Sequence, residues 1–278
     1  MASRRRMSSR DESDFRAGRE GDATYYTRRI LYDDLAVVIR RFPTAESGTR
    51  SSDWTGRPFV LVHGIGVSSR YFHPAAAELT KFGPVFVVDL PGFGSAPDPH
   101  RDVTIVDHAG VLAKYLAEEG IANPVLVGHS MGTQVVSRLA LDYPDATSSI
   151  VLMAPTMDPA ARTFGKAARR LITDILRYEP PRVNLVVSFD YFFRCGIPYF
   201  MRQVPHLLGD RMEDRLPRLA AKALVMRGDK DVISPEGWSR EVASLLRQGS
   251  YVTVKGPHVV MYTDPKRVAA LIALHGRS

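Results

Sequence analysis

The stretch from Pro124 to Gln134, Pro-Val-Leu-Val-Gly-His-Ser-Met-Gly-Thr-Gln, limits what this chain can fold into more than any other. An apolar run of strand type ends at Gly128-His129-Ser130-Met131-Gly132, and a helix-prone segment follows at once, from Met131 to Leu141. Strand, tight turn and helix are the context in which a G-x-S-x-G pattern presents a nucleophile. A turn this sharp puts Ser130 at positive φ, a region that non-glycine residues occupy under strain. Side chains at positions 128 and 132 would crowd the strand against the helix, so glycine stands at both. The turn lifts the Ser130 hydroxyl out of the sheet and aims the first free N–H groups of the helix at the same spot.

Bulk properties bound the rest. The 278 residues suit one large domain or one and a half, and the 45% hydrophobic content suits a soluble globular protein with a sizeable core. No apolar run reaches the roughly 18 residues of a membrane-spanning helix, and no apolar h-region follows the charged start. Stable membrane insertion and a secretory signal are therefore not expected. The lone Cys195 excludes an internal disulfide and fits a reducing, cytoplasmic setting. The net charge of +7 is driven by arginine, part of it in Arg4–Arg6, Arg10, Arg16 and Arg19. Asp11, Glu12, Asp14 and Glu20 interrupt that run, so residues 1–22 read as a polar, disordered tail rather than a nucleic-acid arm.

From Arg29 to Phe42 the chain is rich in β-formers and reads as a hairpin. Buried strands are expected at Pro58–Val62, Val85–Val88, the Ser130 strand, Ile150–Met153, Ala223–Met226 and Tyr251–Val254, with helices near 69–82, 105–119, 235–246 and 265–274. This alternation predicts a mostly parallel sheet covered on both faces. Between 157 and 216 it breaks. That segment is helical in pattern, unusually aromatic (Phe164, Tyr178, Phe189, Tyr191–Phe193, Tyr199, Phe200) and punctuated by Pro180-Pro181, Gly196, Pro198 and Pro205.

Three further segments resemble the α/β-hydrolase superfamily, in its serine-nucleophile esterase or meta-cleavage-product-hydrolase-like branch. Gly228-Asp-Lys-Asp231-Val-Ile-Ser-Pro235 matches the Gly-x-x-Asp-x-x-x-Pro that often carries the acid. Lys255-Gly-Pro-His258 follows the last strand, where the superfamily places its base. His63-Gly64-Ile65-Gly66 is similar to its oxyanion loop. The resemblance runs from about Arg29 to the end. It implies an eight-stranded, mostly parallel sheet flanked by helices, with a helical lid (157–216) inserted after the sixth strand of a core formed by 23–156 and 217–278. It also implies Ser130 as nucleophile, His258 as base, Asp231 as orienting acid, and the backbone N–H groups of Ile65 and Met131 as oxyanion donors. Asp229 and Asp158 are the other acids at plausible places; His63, His73 and His129 match His258 in type but not in place. Serine at 130 sets the chain apart from the haloalkane dehalogenases and epoxide hydrolases, which carry aspartate there.

An acyl-serine pathway needs neither metal nor cofactor, and no His/Cys/Glu grouping has metal-ligand spacing. The expected partner is an apolar small-molecule acyl compound, with no nucleic acid; oligomeric state is not encoded legibly. The expected reaction is hydrolysis of a carboxylic ester or related acyl bond. The same scaffold supports carbon–carbon hydrolysis of diketones and cofactor-free perhydrolysis. A small-molecule receptor that keeps the three residues and signals through its lid is the rival of another class.

Overall fold

A computed structural model of the chain describes residues 16–20, 23–43, 56–178, 190 and 195–277. Its centre is one nine-stranded sheet: β1 (Arg16–Glu20), β2 (Ala23–Tyr32), β3 (Leu35–Phe42), β4 (Phe59–Val62), β5 (Val85–Asp89), β6 (Val125–His129), β7 (Ser149–Met153), β8 (Lys222–Gly228) and β9 (Gly249–Val254). The spatial order is β1-β2-β3-β5-β4-β6-β7-β8-β9. β1, β2 and β3 form an antiparallel meander that joins β5 antiparallel; from β5 to β9 every pairing is parallel.

Alternation along the strands builds two cores. Val60, Val62, Leu126, Ile150 and Val225 face one apolar cluster; Phe59, Leu61, Val127, Val151 and Met226 face the other. A strand with both faces buried has no polar side to show, which is why these strands read as continuous apolar runs. Helices α1 (His73–Leu79), α2 (Ile105–Glu118) and α3 (Met131–Asp142) follow β4, β5 and β6. Thr104 caps α2 in a reciprocal capping box: Asp107 N–H donates to Thr104 Oγ1, and Thr104 N–H donates to the Asp107 carboxylate. Between β7 and β8 the described residues hold α4 (Phe164–Arg177), α5 (Ile197–Gly209) and the short α6 (Met212–Arg215). Helices α7 (Glu236–Leu245), α8 (Val260–Thr263) and α9 (Pro265–Arg277) complete the chain.

β4 sits between β5 and β6, so the chain leaves it toward one side and returns on the other. Such a reversal opens a crevice at the carboxyl ends of the two diverging strands, where open α/β sheets bind ligands. The 63–66 loop leaves β4 there, and Ser130 leaves β6 beside it.

Some expectations need correction. The sheet has nine strands, not eight, because residues 16–20 of the expected disordered tail form β1. Thr24, Tyr25 and Tyr26 carry β2 back to Ala23, and its free edge offers a ladder that Arg16–Glu20 completes from Arg16↔Thr27 to Glu20↔Ala23. Gly18 lies under the Tyr25 ring, where an added Cβ would come within 2.4 Å of it. The rest of the tail, 1–15 and 21–22, lies outside the described residues. Counted from Arg16, the helical insertion follows the seventh strand. The helix expected over 69–82 is a 3-10 turn, Ser69–Phe72, followed by the shorter α1. The aromatic run Phe189 and Tyr191–Phe193, with Pro180-Pro181, lies outside the described residues.

Candidate active site

Ser130 has φ 53° and ψ −122°, the strained elbow required by a strand passing directly into a helix. Its N–H donates to Met153 O at 3.0 Å, and its carbonyl accepts from Thr133 N–H at 2.9 Å. The glycines are needed for contact with backbone. An added Cβ at Gly128 would lie 2.2 Å from Gly132 O, and one at Gly132 would lie 2.2 Å from Val62 O. Gly64 is similarly confined, its ideal Cβ 3.0 Å from Ser130 Cβ, so the 63–66 loop abuts Ser130.

Asp231 and His258 come from the loops after β8 and β9. His258 Nδ1 stands 2.9 Å from Asp231 Oδ2, and both residues are buried. The second oxygen of Asp231 accepts N–H bonds from Ile233 at 2.8 Å and Ser234 at 2.9 Å. Its acceptor capacity is thus shared between its own turn and the imidazole. The Arg227 guanidinium clamps that turn from below, donating to Ser234 O at 3.0 Å and Asp231 O at 2.9 Å. Gly228 lets the two loops meet: an added Cβ would lie 2.1 Å from Pro257 O.

The competing residues have other work. Asp158 accepts from Ala160 N–H and pairs with Arg170 at 2.7 Å. Asp229 is exposed and accepts from Gly256 N–H at 2.8 Å. His73 packs against the Tyr25 and Phe42 rings. His63 donates from Nδ1 to Gly64 O at 2.7 Å and accepts Leu90 N–H at Nε2, 3.0 Å away. Burial holds its pKa below the ordinary histidine value, so the neutral ring shapes the loop. His129 is bonded between Tyr71 Oη and the His258 carbonyl, and its ring lies against the His258 ring with centroids 4.5 Å apart.

Ser130, His258 and Ile65 line one cavity of about 180 Å³. Its other walls come largely from the insertion: Phe164, Leu171 and Asp174 on α4, Phe200 and Leu207 on α5. Met131, the other expected oxyanion donor, is buried at the first position of α3. Among the described residues, no group of three or more His, Cys, Asp or Glu side chains is placed to hold a metal ion. The sequence reading missed Tyr71 and Arg227 as site neighbours. Tyr71 carries the pattern of a core aromatic, and Arg227 sits inside a strand whose other residues are apolar.

Residues 59–271 match the family model described as the alpha/beta hydrolase family. The chain belongs to that family. Putative carbamate hydrolases RutD resemble this alpha/beta hydrolase over most of its length. The protein from Enterobacter cloacae subsp. cloacae is 25% identical over 235 residues, covering 77% of this chain and 88% of its own. That from Escherichia coli O9:H4 has the same identity and coverage. Among solved structures, the enol-lactonase from Burkholderia xenovorans LB400 superposes with TM-score 0.76 at 18% identity, over 90% of this chain and all (100%) of its own. An esterase from Exiguobacterium antarcticum gives 0.74 at 14%, over 90% and 99%. These two likenesses establish the fold; the family makes this alpha/beta hydrolase a hydrolytic enzyme. No helix among its described residues is long and apolar enough to cross a membrane.

Proposed function

We propose that this hydrolase cleaves a carboxylic ester or related acyl bond of an apolar small molecule, with Ser130, His258 and Asp231 as a catalytic triad. The observation that carries the reading is the buried 2.9 Å contact between His258 Nδ1 and Asp231 Oδ2 at a cavity that Ser130 also lines. Ser130 Oγ attacks the carbonyl carbon as its proton passes to His258 Nε2. Asp231 accepts from Nδ1–H, fixing the tautomer and stabilising the imidazolium. The N–H groups of Ile65 and Met131 receive the oxyanion, each worth about 3–4 kcal/mol in the transition state. Collapse expels the leaving group, which takes the proton from Nε2. Water then attacks the acyl-serine, giving its proton to the same nitrogen, and the carboxylic acid leaves with Ser130 restored.

The apolar walls contributed by Phe164, Leu171, Phe200 and Leu207 support an apolar acyl or alcohol portion, buried by contact with α4 and α5 acting as a lid. The kinship to proteins named as carbamate hydrolases supports attack on a carbonyl bearing a heteroatom leaving group, and carbamates belong beside esters and lactones in a substrate panel. Ser130→Ala should lower turnover by about 10⁶ on any ester the parent hydrolyses. Full turnover in that variant would remove the reading. A p-nitrophenyl ester series should show a preference for longer or aromatic acyl groups, and a flat profile would remove the apolar assignment.

A further inference from the structure

The residue before the nucleophile sits in a hydrogen-bonded chain that the triad does not use. Gly64 N–H donates to Tyr71 Oη at 2.8 Å. Tyr71 Oη lies 2.9 Å from His129 Nδ1, and His129 Nε2 lies 3.1 Å from the carbonyl oxygen of His258. All four residues are buried. Elementary chemistry fixes every proton. A carbonyl only accepts, so Nε2 carries the hydrogen. The neutral ring then offers a lone pair at Nδ1, so the Tyr71 hydroxyl donates there and accepts from Gly64. Burial first, and the neighbouring His258 second, push the His129 pKa well below its ordinary value, so the ring keeps this neutral form. The three bonds point the same way and strengthen one another in a dry setting.

The ends of this chain are the two loops that catalysis requires to be in register. Gly64 belongs to the loop that carries Ile65, and His258 is the base. His129 holds both from the strand end that carries Ser130. Resting on the triad reading above, we infer that Tyr71 and His129 are positioning residues that lock the oxyanion loop and the base loop to the nucleophile. Both also line the cavity, and the His129 ring packs on the His258 ring with centroids 4.5 Å apart. Their hydrogen bonds act through the backbone of Gly64 and His258 and take no part in the proton transfer itself.

Tyr71→Phe keeps the ring and removes both hydrogen bonds. His129→Leu removes the ring's two polar ends; His129→Gln restores a donor where Nε2 stood. Tyr71→Phe and His129→Leu should each lower kcat about 10- to 100-fold with KM within about twofold, since misplaced catalytic groups lose rate and not binding. His129→Gln should recover part of the loss. The double variant Tyr71→Phe/His129→Leu should lose little more than the worse single one, because one broken link already interrupts the chain. These rates are compared below the melting transition of each variant, where a purely structural role would leave kcat unchanged. In the parent protein, long-range ¹H–¹⁵N spectra at neutral pH should show His129 as the neutral Nε2–H tautomer. That measurement stands if a variant fails to fold. An Nδ1–H or charged His129, or kcat values like the parent's in folded variants, overturns the inference. If Ser130→Ala is inactive while these variants turn over normally, the positioning role alone fails; if Ser130→Ala is active, the triad fails.

Discussion

Asp231 Oδ2 and His258 Nδ1 stand 2.9 Å apart although the residues lie on separate loops, and Asp231 Oδ1 is held by two N–H groups of its own turn. The carboxylate is therefore oriented before any substrate binds. Asp231→Asn preserves shape but can present N–H where Nδ1–H must donate, which favours the wrong imidazole tautomer. Turnover should fall about 10³- to 10⁴-fold with little change in KM. Asp229→Asn and Asp158→Asn, whose carboxylates serve a surface turn and the Arg170 pair, should stay within a few-fold of the parent. Steady-state kinetics of the three variants on one ester decides the assignment.

The elbow's close approach makes a second test. Gly132→Ala would place Cβ 2.2 Å from Val62 O and 2.8 Å from His63 O, so β4 and the loop after it must shift. Overpacking of this kind costs about 1–3 kcal/mol, and here it also displaces the 63–66 loop, proposed above to carry an oxyanion donor. Both the urea midpoint and kcat should drop. Gly237→Ala, on the α7 helix, meets nothing within 4 Å and should gain about 0.5–1 kcal/mol without changing kcat. Equal outcomes for the two glycines would contradict the packing account.

Legibility in the sequence followed the range of the interaction. Gly128 and Gly132 could be read because their constraint is local, one turn between one strand and one helix. Asp231 could be singled out because its partners Ile233 and Ser234 lie within three residues, inside the motif that ends at Pro235. β1 was illegible because nothing in Arg16–Glu20 favours a strand; the free edge of β2 does. The Tyr71–His129 contact spans 58 residues. In one dimension Tyr71 is only an aromatic on an apolar face, and its hydroxyl's destination appears once β4 and β6 lie side by side. Arg227 follows the same logic: a cation in a buried strand looks misplaced until the carbonyls of Asp229, Asp231 and Ser234 that it grips are found.

Arg40 and Asp89 form a buried pair at 2.7 Å between β3 and the end of β5. Asp89 also accepts N–H bonds from Ser69 at 2.7 Å and Ser95 at 2.9 Å, tying the turn before α1 to the loop after β5. Burial alone would raise the Asp89 carboxyl, but the Arg40 charge first, then His63 and the Ser69 hydrogen bond, hold it down at about 2. Arg40→Met leaves the buried charge without its cation and should cost about 3–5 kcal/mol. Adding Asp89→Asn should return part of that loss, because the charge is gone while one acceptor remains. Urea unfolding of both variants at pH 7 is the measurement, and a double variant weaker than Arg40→Met would contradict the buried-charge explanation.

His108 gives the fold a dependence on pH well above the range of its carboxylates. The ring is fully buried on α2 and donates from Nε2 to Gln203 Oε1 on α5 at 3.3 Å. Nδ1 is buried with no hydrogen-bond partner among the described residues. A second proton has nowhere to bond, and burial lowers the pKa to about 4 despite the favourable Gln203 contact. The unfolded chain, with an ordinary pKa near 6.5, binds that proton first. The stabilisation is therefore complete above about pH 6.5 and is lost progressively as pH falls toward 4, reaching about 2 kcal/mol lost at pH 5. His108→Gln removes the titration, so the stability gap between parent and variant should narrow by about 2 kcal/mol between pH 7.5 and pH 5. His63 and His129, also buried and depressed, leave a residual slope of the same sign in the variant. Since His108 joins α2 to the helical insertion, the loss should appear first as faster amide exchange in α5, before the sheet opens. A gap that stays constant over this range would show that the His108 ring does not resist protonation in the folded protein.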